Sequence, residues 1–386
     1  MSPFQEDLLT DRPRLAALTF LRYLAALWVL TFHMNAGGGL RWAPTWLQGL
    51  TSRGYVAVTF FFMLSGFILV YTYGGRELDL KRFWNARLAR LYPVYLFSTL
   101  LLAPIFLFGV LHHPPFPGME WFGHHLGLSA VLVLTMQQAW VPLAALGWNG
   151  VCWAVSAEVF FYILFPLLLR RMTRMSLGQL AAVALLAWLA ALAAAGLYIR
   201  LRPDGLAMTA WVMPDGLFWL QALKFNPLVR LPEFIAGMAC GVWFLRGGHA
   251  SQRSSQLIGA GVALLAIILA LASRIPYPLM HTGLTAPAFA AILCGFALRP
   301  AWSDFTHSRL CTRLGESSYS LYLLHGLVVG IVLFMPVGPI KNGMPPSPSL
   351  IRSLLGIVLS TGFGVLILRY VEEPLRKKIR FGHPKG

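Results

Sequence analysis

Ten times along this chain a run of about twenty residues is almost wholly apolar and is bounded by charged or turn residues. The runs lie near 15–34, 55–73, 91–111, 153–169, 178–199, 227–245, 257–273, 284–298, 317–336 and 350–369. A helix of about 20 apolar residues matches the roughly 30 Å hydrocarbon core of a bilayer. The expected fold is therefore all-α: a polytopic integral membrane helical bundle of about ten transmembrane helices. Only 12% of the residues are charged and 57% are hydrophobic, against about 25% charged in soluble domains. Little sequence is left for a soluble domain, and residues 1–386 read as one integral-membrane unit.

The stretch 126–146 is also apolar, but Gln137, Gln138, Trp140 and Pro142 interrupt it. Basic residues, which collect in cytoplasmic loops, arbitrate. If 126–146 does not cross and both termini are cytoplasmic, 21 of the 31 Lys and Arg residues fall inside and 8 outside. If it crosses, the cluster Arg170, Arg171 and Arg174 turns outward. Ten crossings plus one non-crossing element is the expectation. The Pro- and Gly-rich stretches 200–226 and 337–349 read as outer connections. The net charge of +17 is thus accounted for by orientation and not by nucleic acid. Residues 1–36 do not read as a cleaved signal peptide, because Arg22 breaks the run and no small-x-small site precedes Gly37.

Two residues inside the first run call for an explanation. Arg22 and His33 are eleven residues apart, about three helical turns and 16 Å, so they share one face. An arginine at that depth costs about 2.5–3.5 kcal/mol on insertion scales, which points to a functional site. Its expected partner is an acidic side chain or an anionic ligand. His33 ends the run, and imidazole can take and return a proton near neutrality.

Glu158 in Trp153-Ala154-Val155-Ser156-Ala157-Glu158 is the foremost acidic candidate, expected at the depth of His33, with Tyr162 one turn further on. A structural pairing of Glu158 with Arg22 or Arg230 is the competing reading. Arg230 and Glu233 lie one turn apart and can satisfy each other within a helix. Arg87 and Arg90 share a face beside Tyr92, just before the third run. Guanidinium forks bind phosphate oxygens in bidentate fashion, although a basic collar on anionic membrane lipid has the same composition. Tyr322 and His325, one turn apart in the ninth run, suit either chemistry or helix–helix bonding. Cys152, Cys240, Cys294 and Cys311 show no paired spacing, and no metal site is expected. Walker, dinucleotide and zinc-protease motifs are absent.

Together these segments resemble the acyltransferase family 3 membrane proteins, which O-acylate bacterial envelope glycans. Arg22-x10-His33, Phe60-Phe61-Phe62-Met63-Leu64-Ser65-Gly66-Phe67, Arg87-x-x-Arg90-x-Tyr92-Pro93, Trp153 to Pro166, Leu314 to His325 and Glu372-x-Pro374 are similar to its motifs, in order. Thr19-Phe20 stands where many members have Asp-Gly, Ala154 replaces a serine, and Val159 a second glutamate. No esterase-like domain is expected after the last run.

The resemblance implies a multi-pass protein of the bacterial cytoplasmic (inner) membrane with acetyl-CoA, or another acyl-CoA, as donor. On this reading Arg87, Arg90 and Tyr92 hold the donor, which passes Arg22. His33 serves as general base or transient acyl carrier and Glu158 orients it. Trp153, Ser156, Tyr162, Arg230, Glu233, Tyr322 and His325 bind substrate or hold the site. The acceptor would be a glycan or lipid-linked sugar, with polysaccharide synthesis or export machinery as a possible associate. A proton-linked secondary transporter of a small solute or polysaccharide precursor is the alternative, and a non-catalytic scaffold of an export complex is a further rival.

Overall fold

The computed structural model describes residues 12–112, 120–205, 217–247, 253–334 and 349–381. The described residues form α1 (Ala16–Ala36), α2 (Thr45–Thr51), α3 (Ala57–Tyr73), α4 (Leu80–His112), α5 (Glu120–His124), α6 (Leu126–Leu134), α7 (Trp153–Met172) and α8 (Leu177–Leu201). There follow α9 (Phe218–Phe225), α10 (Pro227–Leu245), α11 (Ser254–Ala270), α12 (Tyr277–His281), α13 (Ala286–Ala297), α14 (Arg309–Phe334), α15 (Leu350–Ile367) and α16 (Glu373–Phe381). No strand occurs among them. Among the described residues nine helical stretches are long and apolar enough to cross a membrane, and the tenth expected run is α11, an apolar helix of 17 residues. At 1.5 Å per residue it spans about 25 Å.

Helix directions fix the number of crossings. Thr59 donates to Glu233 at 2.8 Å, Gly237 lies against the Met63 carbonyl and Gly241 against Val70. Residue numbers rise together, so α3 and α10 are parallel. Gly315 lies against Thr19, Arg22 bonds Ser318, His33 meets His325, and Gly37 lies against Leu333, so α1 and α14 are parallel too. Successive crossings alternate in direction, and a parallel pair must be separated by an odd number of them. Between α3 and α10 stand α4, α7 and α8, which leaves no room for a crossing at 126–146. Between α1 and α14 the count becomes odd only when α11 crosses. Ten crossings result, and they return α15 to the face from which α1 starts.

The segment 126–146 agrees locally. Its nine-residue α6, about 13 Å long, is followed by single tight turns at Gln138–Trp140 and Pro142–Ala144. Gln138 is fully buried and donates to the Cys152 carbonyl at 3.0 Å. Such irregular backbone survives at membrane depth only when protein groups satisfy it.

Three boundaries differ from the apolar pattern. The third run extends back to Leu80, so Lys81–Arg90 forms the first turns of α4. Of the connection 200–226, residues 218–225 are helical (α9) and 206–216 lie outside the described residues, as do 337–348 of the later one. The eighth run, 284–298, is α13, and a short helix precedes it: α12 ends at His281, Gly283 takes φ 87°, and α13 starts at Ala286. Leu185, Leu186 and Leu189 of α8 and Leu354 and Val358 of α15 are exposed, as on a lipid-facing surface, while α1, α3, α7, α10 and α14 supply the interior.

Candidate active site

The helix pair α1–α14 carries two polar stations. At the first, Arg22 Nε donates to Ser318 Oγ at 2.7 Å and Nη2 to the Gly315 carbonyl at 2.8 Å. Glycine is needed at 315, since a Cβ there would fall 2.3 Å from the Thr19 carbonyl oxygen. The close approach of the two helices is what brings the guanidinium to that carbonyl. Around Arg22 stand Arg90, Glu372 and Glu158, each near enough to act on its charge. Glu158 accepts from Ser65 Oγ at 2.9 Å and from Tyr162 OH at 2.8 Å. The buried Glu372 sits in a π-turn, Leu368–Glu372, and accepts from Ser320 Oγ at 2.8 Å. Single π-turns within helices frequently mark functional positions.

Arg87 lies over the rings of Tyr73 and Tyr162, at 5.8 and 5.9 Å. Arg90 makes no hydrogen bond or ion pair with a described residue, although Glu372, Glu158 and Tyr162 surround it. Arg22, Arg87, Arg90, Glu158 and Ser65 come from four helices, and each keeps part of its surface accessible. With Glu316, which also acts on Arg22, and the arginines that pair with the carboxylates, five guanidiniums (Arg14, Arg22, Arg87, Arg90, Arg376) stand against three carboxylates (Glu158, Glu316, Glu372), an excess of positive charge suited to an anion. Tyr92 stacks near Tyr95, ring centroids 6.5 Å apart, one helical turn beyond the Arg87–Ala89 stretch.

The second station lies about 16 Å along the same helices, by helix rise. Here His325 Nε2 meets His33 Nδ1 at 3.0 Å. His325 Nδ1 stands 2.7 Å from the Tyr322 carbonyl, and His33 Nδ1 3.0 Å from the Val29 carbonyl. Phe32 packs edge-on against the imidazole of His33, centroids 4.9 Å apart.

A third polar group is packed tightly in the interior, on the side of Tyr322. Arg230, 1% exposed, pairs with Glu233 at 3.0 Å and donates to the His281 carbonyl. That carbonyl ends α12, so the guanidinium answers the negative end of that short helix. Phe62 and Trp153 flank it, at 5.4 and 5.8 Å. Ser156 accepts from the Ala139 amide at 3.3 Å, and Tyr322 OH donates to the Val151 carbonyl at 3.2 Å; both tie the non-crossing segment to the bundle.

The structure therefore joins Arg22, Arg87, Arg90, Glu158 and Tyr162 in one station and His33 with His325 in another. It does not join Glu158 to His33. The carboxylate bonds Ser65 and Tyr162 and lies in the field of Arg22, and the ring that meets His33 is His325. Arg22 donates its hydrogen bonds to a backbone carbonyl and a serine instead of a carboxylate. Ser318, Ser320, Glu372 and Ser65 were visible only as polar residues within quoted motifs. Asn149 carried no signal at all.

Comparisons with known proteins follow this geometry. The acyltransferase domain profile of acyltransferase family 3 matches residues 15–369. Acyltransferase MdmB of Streptomyces mycarofaciens is 30% identical over 336 residues, 82% of this chain and 79% of that protein. O-acetyltransferase OatA of Staphylococcus aureus is 24% identical over 94% of this chain, and the putative peptidoglycan O-acetyltransferase YrhL of Bacillus subtilis 26% over 92%. The chain spans only 57% of OatA and 54% of YrhL. No solved structure matches. None of the three relatives is named as a transporter, and that alternative is left without support. A family profile over almost the whole sequence, on a multi-pass helical bundle, places this chain in acyltransferase family 3.

Proposed function

We propose that this acyltransferase, acting as a single unit in the bacterial cytoplasmic membrane, moves an acetyl group from cytoplasmic acetyl-CoA to a hydroxyl of an envelope glycan. The names of the relatives OatA and YrhL, both O-acetyltransferases, support O-acetylation, and the peptidoglycan in YrhL's name supports a glycan acceptor. The observation that carries the donor assignment is Arg90, a guanidinium near Arg22 that lies in the field of Glu372 and Glu158 but makes no hydrogen bond or ion pair among the described residues. Its N–H donors are left open among the described residues, and phosphate oxygens would accept from that planar fork. Arg87 and Arg90 hold the donor phosphates, Tyr92 borders them, and the pantetheine arm runs past Arg22 toward His33.

At His33 the acceptor hydroxyl gives its proton to Nε2 while its oxygen attacks the thioester carbonyl. The C–S bond breaks and the CoA thiolate takes the proton back from Nε2, so the histidine ends unchanged. General-base assistance is worth about 10²–10⁴-fold in rate. Glu158, bonded to Ser65 and Tyr162, holds the charge balance along the donor path. The excess of basic residues in the connections on the face that carries Arg87 supports reading that face as cytoplasmic.

The test uses purified protein in detergent with acetyl-labelled acetyl-CoA and peptidoglycan fragments. Labelled glycan and free CoA are expected from the parent protein, with turnover lowered about 10²-fold or more in His33→Ala. Near-full turnover in His33→Ala would remove the base assignment, and a parent protein that leaves acetyl-CoA intact would remove the donor.

A further inference from the structure

The hydrogen-bond pattern at the second station fixes where protons sit. A backbone carbonyl can only accept, so the 2.7 Å contact with the Tyr322 carbonyl puts a proton on His325 Nδ1. A neutral His325 then has its lone pair on Nε2, and the 3.0 Å contact with His33 must be donated by His33 Nδ1. The Val29 carbonyl, 3.0 Å from the same Nδ1, is also an acceptor and agrees. Both constraints leave the lone pair of neutral His33 on Nε2, the nitrogen to which the reaction above assigns the base.

His325 is held in turn from outside its own helix. Asn149 Nδ2 donates to the Leu323 carbonyl at 2.9 Å and stands 3.3 Å from Ser98 Oγ. Tyr322 OH donates to the Val151 carbonyl at 3.2 Å. Asn149 and Val151 belong to the stretch that follows the tight turns of the non-crossing segment. Asn149 and His325 are both buried, at 6% and 1% exposure. The chain thus runs Asn149 and Val151, then Leu323 and Tyr322, then His325, then His33.

We propose that His325 is a positioning residue for the base His33, and that the stretch joining the non-crossing segment to α7 sets it in place through Asn149. The inference rests on the reading of His33 as base. His325 Nε2 aims the imidazole, keeps the proton on Nδ1, and shares the positive charge when Nε2 takes the acceptor proton. No proton leaves the pair: Nδ1–H of His33 stays in the hydrogen bond throughout the cycle. The arrangement does what a carboxylate does for other catalytic histidines, with a neutral ring suited to a bundle interior where a further buried charge would be costly.

Two variants separate positioning from packing. In His325→Phe the ring remains and the acceptor is lost. In His325→Gln the side-chain carbonyl can again accept from His33 Nδ1. Turnover is expected to fall about 10- to 100-fold in the Phe variant with the KM for acetyl-CoA unchanged, and to recover at least partly in the Gln variant. ¹⁵N spectra of histidine-labelled protein supply a readout independent of activity. His33 is expected as the Nδ1–H tautomer in the parent and to change its imidazole shifts in His325→Phe. Asn149→Ala, which leaves both rings in place, is expected to lower kcat as well, so the idea stays testable if the Phe variant does not insert. Gln no better than Phe, unaltered His33 shifts in His325→Phe, or full kcat in Asn149→Ala would each overturn the positioning role. A His33→Ala protein that keeps its turnover sinks the base reading itself, a result the tautomer spectra do not depend on.

Discussion

Substituting Gly315 by alanine probes the site without touching any of its polar side chains. A Cβ at that position would lie 2.3 Å from the Thr19 carbonyl oxygen and 2.6 Å from its carbon, both backbone atoms of α1. Ordinary contact begins at 3.4 Å, so α14 must withdraw by about 1 Å. The bonds from Arg22 to Gly315 and Ser318, now 2.8 and 2.7 Å, would then stretch beyond hydrogen-bonding range. Each such bond to a charged group is worth about 1.5–3 kcal/mol, and a displacement of about 1 Å near a reacting assembly can cost about 10²-fold in rate. Gly330 on the same helix is the control, because an added Cβ there meets nothing within 4 Å. Alanine at 330 should leave turnover unchanged and raise helix stability by up to about 1 kcal/mol. The assay is acetyl transfer in detergent, read beside the thermal unfolding midpoint of each protein. Gly315→Ala with full turnover and an unshifted midpoint would refute the claim that this contact sets the Arg22 station.

Other outcomes follow from the same geometry. Arg90→Gln should raise the KM for acetyl-CoA at least tenfold, and Arg90→Lys, which keeps charge but loses the planar fork, should fall between parent and Gln; a KM unmoved by either denies Arg90 its donor role. Arg230→Met should cost about 3–5 kcal/mol of stability by stranding Glu233, and adding Glu233→Leu should recover much of that loss. Unfolding midpoints in detergent measure both, and a double variant no better than the single one contradicts the paired reading. Ser320→Ala removes the hydroxyl that donates to buried Glu372 and should lower the midpoint by the equivalent of about 1–3 kcal/mol, with no change meaning that Glu372 is satisfied by other groups.

The bundle was legible because apolar length is a property of contiguous residues. Each of the ten runs announces itself locally, and the charges between them bear on direction. What the runs do not disclose is which helices touch. Arg22 and Ser318 are 296 residues apart, His33 and His325 are 292 apart, and nothing between them encodes the contact. The expectation that Glu158 would meet His33 came from matching depths on two helices of unknown rotation and offset. Ser65 and Tyr162 draw the carboxylate to the Arg22 level instead. The short helix before α13 was obscured for another reason: Pro276, Pro278, His281, Thr282 and Gly283 dilute the hydropathy, so the apolar run begins only at Leu284 although Tyr277–His281 is helical.

Parallel packing of α1 and α14 has a consequence for how the two stations are spaced. If donor and base stations were built on loops, or on helices that met only once, their separation could drift with any rearrangement of the bundle. Here each station is a contact between the same two helices: Arg22 with Gly315 and Ser318, then His33 with His325. Eleven residues, about 16 Å at 1.5 Å per residue, separate Arg22 from His33 on α1. The contacts that bracket them, Thr19 with Gly315 and Gly37 with Leu333, are eighteen residues apart on both chain segments, so the pair stays in register along the whole interval between the stations. In the proposed reaction that interval is the length the donor arm must bridge. An acyl donor on a shorter arm, anchored by the same arginines, should therefore bind and fail to transfer. Acetyl-CoA and a truncated thioester that keeps the nucleotide phosphates but lacks part of the pantetheine arm would then compete for the site, with turnover only from the first; transfer from both at similar kcat would break the link between this helix register and the chemistry.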